Sequence, residues 1–242
     1  AVRQALIFAT NRQSIVETVF QRFSPQAYGP IAQSTAYYYD QVINAYPYDL
    51  EQALSLLNAA GFTEENDDGI LMIPTGVTTA EGTEEAEPVP GTPTATPELA
   101  GVPLEITLIV PPWGLTPQVA QLLQSQWLEI GIKANIEQVA GFGQLIEAAA
   151  EGDYNLIAFN DFGRDPALLN RFFTTGGSVN WTNYSDIELD TYLREGTIQN
   201  DPVLRGSMYA AAQTRILEQA LTLPIRDYDN LNAATSELTG VA

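Results

Sequence analysis

The sequence contains neither cysteine nor histidine. Their absence removes thiol nucleophiles, Ser-His-Asp triads, imidazole acid–base chemistry and the usual zinc ligand sets. Any catalysis would have to use carboxylates, tyrosine, serine or lysine. Basic residues are also scarce. The chain has 10 Lys and Arg against 30 Asp and Glu, a formal net charge of −20, and no basic residue between Arg22 and Lys133. Nucleic-acid binding needs cations that displace counterions from phosphates, so nucleic acid is not an expected partner. An anionic membrane surface would repel the chain as well, and the charge mainly confers solubility. No run of about 18 apolar residues is present, so no segment reads as a membrane span. The opening Ala1-Val2-Arg3-Gln4-Ala5-Leu6 reads as a helix and not as a signal peptide. The expectation is a sequence that starts inside a longer protein.

What is present suits a folded domain with a sizeable core: 242 residues, 45% hydrophobic, 10% aromatic and 17% charged. Val2, Ala5, Leu6 and Ala9 share one helical face. A second helix carries Ile15, Val16, Val19 and Phe20 behind a cap at Thr10 or Asn11. A long connection from Ser24 to Pro47 is rich in tyrosine, with Tyr37, Tyr38 and Tyr39 in a row. These rings are expected to pack the loop onto the core. Asp49 then caps a helix whose buried stripe is Ala53, Leu54, Leu56, Leu57 and Ala60, stopped by Gly61. Ile70–Ile73 reads as a short strand. From about Thr75 to Leu99 the chain becomes rich in Pro, Thr and Glu, with little apolar area to offset ordering entropy. An acidic surface insertion is expected there.

After the insertion the pattern is α/β. Leu104–Val110 alternates as a strand, Val119 to Ile130 forms a helix face ending at Gly131, and Ile132–Ile136 alternates again. Leu145–Ala150 makes a short helix closed by Gly152, and Tyr154–Phe159 reads as a buried strand. Such spacing argues for parallel neighbours joined by crossover helices. A capping box at Ser185-Asp186-Ile187-Glu188 and the pair Asp201-Pro202 open two further helices. Leu221–Arg226 reads as a final strand, at an edge or leaving the sheet because of Pro224.

Several of these segments, in this order, resemble one known family. They are Val2-Arg3-Gln4-Ala5-Leu6 with Asn11-Arg12, then Tyr46-Pro47-Tyr48-Asp49 leading to Leu56-Leu57-Asn58-Ala59-Ala60-Gly61-Phe62. Gln126-Trp127-Leu128-Glu129-Ile130-Gly131 follows, then Gly152-Asp153-Tyr154-Asn155-Leu156, Asn183-Tyr184-Ser185-Asp186, and Arg205 with Met208-Tyr209. The set is similar to the family 5 extracellular solute-binding proteins, the peptide/nickel-binding receptors of ABC importers, and it covers nearly the whole chain outside the insertion. The resemblance implies an α/β lobe of a type II periplasmic-binding-protein fold, a mixed sheet flanked by helices. Residues 1–242 would be the C-terminal lobe of a two-lobe protein, ending near Leu238-Thr239-Gly240 where the chain crosses back. It further implies a binding module and not an enzyme. Its expected partners are a peptide or small-molecule ligand, the N-terminal lobe and ABC permease subunits, with no cofactor. The expected setting is extracellular or periplasmic, on a membrane-anchored lipoprotein.

The foremost site candidate is Asn160-Asp161-Phe162-Gly163-Arg164-Asp165-Pro166, directly after the Tyr154–Phe159 strand. Ligands of open α/β sheets collect beyond the carboxyl ends of strands. Peptide-binding relatives place an aspartate there against the ligand's α-amino group, and Asp161 is the matching position. The family spacing runs Asp-Tyr-x-Asp-Pro; here Asp161 is one residue further from Pro166, and Phe162 replaces the tyrosine. Asp161 can equally be a loop or capping residue, and Asp165 a cap for a helix over Ala167–Phe173. Trp113, after Pro111-Pro112 at another strand end, is a candidate apolar wall. Asn180 and Trp181 offer an amide and an indole for ligand hydrogen bonds, or else order the loop before Ser185. Arg164 is a candidate for a ligand carboxylate, or a surface ion pair. Glu64-Glu65-Asn66-Asp67-Asp68-Gly69 lacks the distal glutamate of a calcium loop, and a turn is expected instead. Two functions of other classes stay open: a sensor lobe for a membrane kinase, and a carboxylate hydrolase built on Asp161, Asp165 and a remote Glu.

Overall fold

The computed structural model describes residues 1–75, 101–161 and 163–228. The expected insertion at about 75–99, apart from Thr75, lies outside the described residues, as does Phe162.

Helices α1 (Val2–Phe8), α2 (Arg12–Thr18) and α3 (Leu50–Ala59) open the chain. Asn11 caps α2 by accepting from the Ser14 amide, and Asp49 caps α3 by accepting from the Gln52 amide at 2.9 Å. Strand β1 (Glu105–Val110), helix α4 (Thr116–Leu128), strand β2 (Lys133–Gln138), helix α5 (Phe142–Glu151) and strand β3 (Leu156–Ile157) follow in alternation. The strands form one parallel sheet in the order β2-β1-β3, with Leu108 aligned to Ile136 on one side and to Leu156 on the other. Antiparallel pairing is confined to single bridges among the described residues, such as Met72 with Pro103. This is the α/β arrangement that the alternation of strands and helices implied.

One buried cluster joins α1, α3, α4, β1 and β2 around Trp127. Its indole is 1% accessible and its Nε1 donates to the Leu6 carbonyl at 3.1 Å and Thr10 Oγ1 at 3.0 Å. Gly131 stands at the end of this unit with φ +74°, and a Cβ there would lie 2.7 Å from Leu71 Cγ. Only glycine satisfies both demands.

The regular elements after β3 are all helical among the described residues. A 3-10 turn over Pro166–Leu168 leads into α6 (Leu169–Phe173), followed by α7 (Ile187–Ile198) and α8 (Pro202–Glu218). Their second cluster contains Leu169, Phe173, Leu189, Leu193, Ala212 and Ile216. The tyrosine-rich connection packs on α8: Tyr46 Oη donates to the Leu217 carbonyl at 2.8 Å, and Gln213 bonds Tyr39 N and the Tyr37 carbonyl. Arg12 is buried beneath this connection, its guanidinium donating to the carbonyls of Ala27 and Tyr46. Burial pushes its pKa down from the usual value.

Five details differ from the sequence expectations. Leu54, expected in the buried stripe of α3, is 40% exposed. The last strand of the sheet is only Leu156–Ile157, half-buried, where six buried residues were expected. It is an edge strand whose flanking Asn155 and Ala158 still bond β1, at Thr107 and the Ile109 carbonyl, while Tyr154 Oη donates away from the sheet to the Trp181 carbonyl. Leu221–Arg226 forms no strand but a single bridge from Arg226 to Gln26. Pro224 has no N–H for a ladder. Ile70–Ile73 likewise pairs only through bridges at Leu71 and Met72. The cap of α7 is Asp186, which accepts from the amides of Glu188 and Leu189; Ser185 precedes it.

Candidate functional site

Three loops leave the sheet at its carboxyl end. Val110 is followed by Pro111-Pro112-Trp113, Gln138 by the stretch that reaches Phe142, and Ile157 by Ala158-Phe159-Asn160-Asp161. In a parallel sheet all such ends lie on one side, so these short connections gather there by topology alone.

Phe159 is the hub of the arrangement. Its ring meets Trp181 edge-on at 5.0 Å and lies 5.9 Å from Phe172 and 6.4 Å from Phe142. Phe142, on the first turn of α5, leaves 54% of its surface accessible. A large ring so exposed among other rings forms an apolar platform open to solvent. Trp113 Nε1 donates to Asn160 Oδ1 at 3.1 Å, which joins the loops after β1 and β3.

The charged group of the platform is Asp161, paired with Arg171 at 3.0 Å. Its side chain keeps 24% of its surface accessible, against 55% for Arg171. Arg171 also lies 5.4 Å from the Phe172 ring centre. One carboxylate, one guanidinium and four aromatic rings thus meet where the sheet abuts the helical part. The arrangement can hold a ligand's cationic group by a charge-assisted hydrogen bond and cover an apolar portion beside it.

Of the residues singled out from sequence, Asp161, Asn160, Trp113 and Trp181 fall in this assembly. Arg164 is exposed on the same loop, and Phe162 lies outside the described residues. Asn180 is committed to its own loop. Its amide nitrogen donates to the carbonyls of Thr174 and Tyr184, and its oxygen accepts from Thr182 Oγ1 at 2.6 Å. Phe142, Phe159, Phe172 and Arg171 were not foreseen. The only signal for Phe142 was an aromatic directly after Gly141 at the foot of a crossover helix, and Phe159 reads from sequence as the last buried strand residue.

Asp165 has a structural role. It accepts from the Ala167 amide at 2.9 Å and takes Arg205 Nη2 on both oxygens at 2.9 Å. Arg205 Nε donates to the Gly196 carbonyl, tying this loop to α7 and α8. The Ala167 amide, with Arg205 adding to it, holds the Asp165 carboxyl below the usual range and outweighs the opposing effect of burial. A general acid needs the opposite shift, so Asp165 does not fit that role in a hydrolase.

A cavity of about 540 Å³ lies at the other end of the sheet, lined by Val2, Leu6, Leu104, Ile106 and Leu156 among others. It contains none of the strand-end loops and none of the paired charges above. Among the described residues no group of Asp and Glu is arranged to hold a metal ion. The Glu64–Gly69 segment is a turn in which Asn66 Oδ1 accepts from the Asp68 and Ile70 amides.

Comparisons with known proteins agree with this architecture. A family model described as bacterial extracellular solute-binding proteins, family 5 Middle, matches residues 1–183. Probable di/tripeptide-binding protein 5 of Pseudomonas aeruginosa is 31% identical over 231 residues, a match covering 93% of this chain and 36% of the relative. Glutathione-binding protein GsiB of Shigella flexneri is 25% identical over 255 residues, covering 99% of this chain and 41% of the relative. Among solved structures, NikA from Brucella suis in complex with Fe(III)-EDTA superposes with a TM-score of 0.71 at 18% identity, covering 93% of this chain and 41% of that one. The oligopeptide-binding protein AppA from Bacillus subtilis, in complex with a nonapeptide, gives a TM-score of 0.68 at 20% identity with the same coverage. At these identities the structural likeness shows the fold, that of type II periplasmic binding proteins. The chain spans well under half the length of the relatives it matches.

Proposed function

We propose, from the premise that this chain belongs to the bacterial extracellular solute-binding proteins of family 5, that it is one lobe of the substrate-binding component of an ABC importer. Residues 1–242 form a single lobe in this reading, with the acidic segment at about 75–99 as an insertion. The second lobe closes over the carboxyl edge of the sheet, and hinge closure buries the ligand between the two. Peptides are the first cargo. Relatives described as di/tripeptide-binding and glutathione-binding support that choice. The importer's permease subunits are the onward partners, and the extracellular or periplasmic face is the setting, with a lipid anchor on the complete protein. No described helix is long and apolar enough to cross a membrane.

One observation carries the reading. Asp161, a partly shielded carboxylate, sits beside an aromatic platform at the strand ends. In a closing cleft a carboxylate facing an ammonium is a charge-assisted hydrogen bond of roughly 1.5–3 kcal/mol. Trp113, Phe142 and Trp181 supply apolar walls, while Asn160 and Arg164 lie within the same loop. Native mass spectrometry of the complete protein tests the cargo. A co-purified short peptide is expected. A bound saccharide or metal chelate would move the site's weight from Asp161 to Trp113 and Trp181 as stacking surfaces.

A further inference from the structure

Arg171 is one of only 10 basic residues in a chain with 30 acidic ones. A chain this acidic concentrates cations around itself, and a carboxylate at the mouth of a cleft would attract them. Asp161 already carries an internal cation, Arg171 at 3.0 Å. The guanidinium belongs to the last turn of α6, close to the Phe172 ring. Its side chain is more than half accessible and that of Asp161 about a quarter. The pair is therefore well solvated on the arginine side, and such pairs are weak and easily exchanged. A ligand ammonium enclosed with Asp161 in a closed cleft gains more than the surface arginine gives up.

We propose that Arg171 is a specificity-determining residue, a resident counterion that occupies Asp161 until a ligand ammonium displaces it. The inference rests on the reading of Asp161 as the ligand's anionic contact. The pair keeps the open face locally neutral. Small cations find the carboxylate taken, and only a group held also by its attached apolar body competes. Displacement leaves Arg171 stacked near Phe172 and free to turn into solvent, so the exchange needs no rearrangement of the sheet.

Calorimetry on the complete two-lobe protein tests this with the dipeptide Phe-Ala and its N-acetylated form, on wild type, Arg171→Met and Arg171→Lys. Removing the competitor is expected to tighten Phe-Ala binding about two- to fivefold in Arg171→Met, the equivalent of a surface ion pair. Arg171→Lys returns it to the wild-type value. The acetylated peptide, which has no ammonium to place on Asp161, is expected to bind all three equally. Unchanged or weaker Phe-Ala binding by a folded Arg171→Met protein overturns the inference and makes Arg171 a positioning residue for Asp161. If the wild type and both variants all fail to bind Phe-Ala, the peptide reading falls, and this inference with it. Wild-type binding without the gain sinks the inference alone.

Discussion

The two parts of this chain are held together by different means. Around Trp127 the sheet, α1, α3 and α4 bury a continuous apolar cluster, and the indole N–H is satisfied by a carbonyl and a hydroxyl. The α6–α8 part has a smaller apolar cluster and is cross-tied by charges: Asp165 with Arg205 and Asp186 with Arg215. Apolar packing is non-directional and scales with area, whereas charge pairs contribute only in proportion to their enclosure. The platform of Phe159, Trp181, Phe172 and Asp161 lies at the seam of the two. The short strand beside it is continued by Asn155 and Ala158, which still bond β1, while Tyr154 turns its hydroxyl to the Trp181 carbonyl across the seam.

The comparison predicts unequal sensitivity to substitution. Trp127→Ala should cost about 3–5 kcal/mol in urea unfolding, through the lost ring and the cavity it leaves. A cost below that of the charge-pair variants would break the contrast. In the helical part the largest loss should come from Asp186, whose side chain is 7% accessible and which serves α7 as cap and Arg215 as partner. Asp186→Ala is expected to cost roughly 2 kcal/mol, a cap plus a partly enclosed pair.

Asp186 also sharpens the contrast through pH. Burial pushes its carboxyl up, but hydrogen bonds from Tyr184, the Leu189 amide, Arg215 and the Glu188 amide outweigh it and bring the pKa to about 2 from an ordinary 3.8. A depressed folded-state value means that the stabilisation is fully present above the ordinary value. It is lost as the pH falls toward the folded one. The stability gap between wild type and Asp186→Asn should therefore hold at neutral pH and close between about pH 4 and pH 2. A gap independent of pH would contradict this account. The smallest effect belongs to Asp165→Asn. Asparagine keeps the cap, and the lost pair is exposed on the aspartate side at 56%. A cost of at most about 1 kcal/mol is expected, read as a shift in urea midpoint at constant slope.

Much of the fold was legible because its elements carry local signatures. Asp49, Asp201-Pro202, Gly131 and Gly152 mark ends that the structure places within a residue or two of expectation. The alternation of strand and helix after the acidic segment gave the parallel sheet. The edges were harder. The Tyr154–Phe159 run is apolar enough for a central strand, and only tertiary contacts of Tyr154 and Phe159 reveal an edge. The candidate site was half legible. Asp161, Asn160 and Trp113 follow strand ends and were singled out by that rule. Phe142, Phe172 and Arg171 reach the same place from helices, and nothing in their local sequence signals a neighbour far along the chain. Asn180 looked available because sequence does not show that its amide is already bonded to Thr174 and Tyr184.

We propose that the seam at the carboxyl edge is the ligand face, with Asp161 as its charged contact and Asp165 as its scaffold. Titration of the complete protein with Phe-Ala tests it most directly, comparing wild type with Asp161→Asn and Asp165→Asn. The account predicts at least about a tenfold loss of affinity for Asp161→Asn, because the ammonium loses its partner and faces Arg171 alone. Asp165→Asn should stay within about twofold of wild type, since its carboxylate is spent on Ala167 and Arg205. Equal affinity for wild type and Asp161→Asn, both folded, would contradict the account and remove Asp161 from the site.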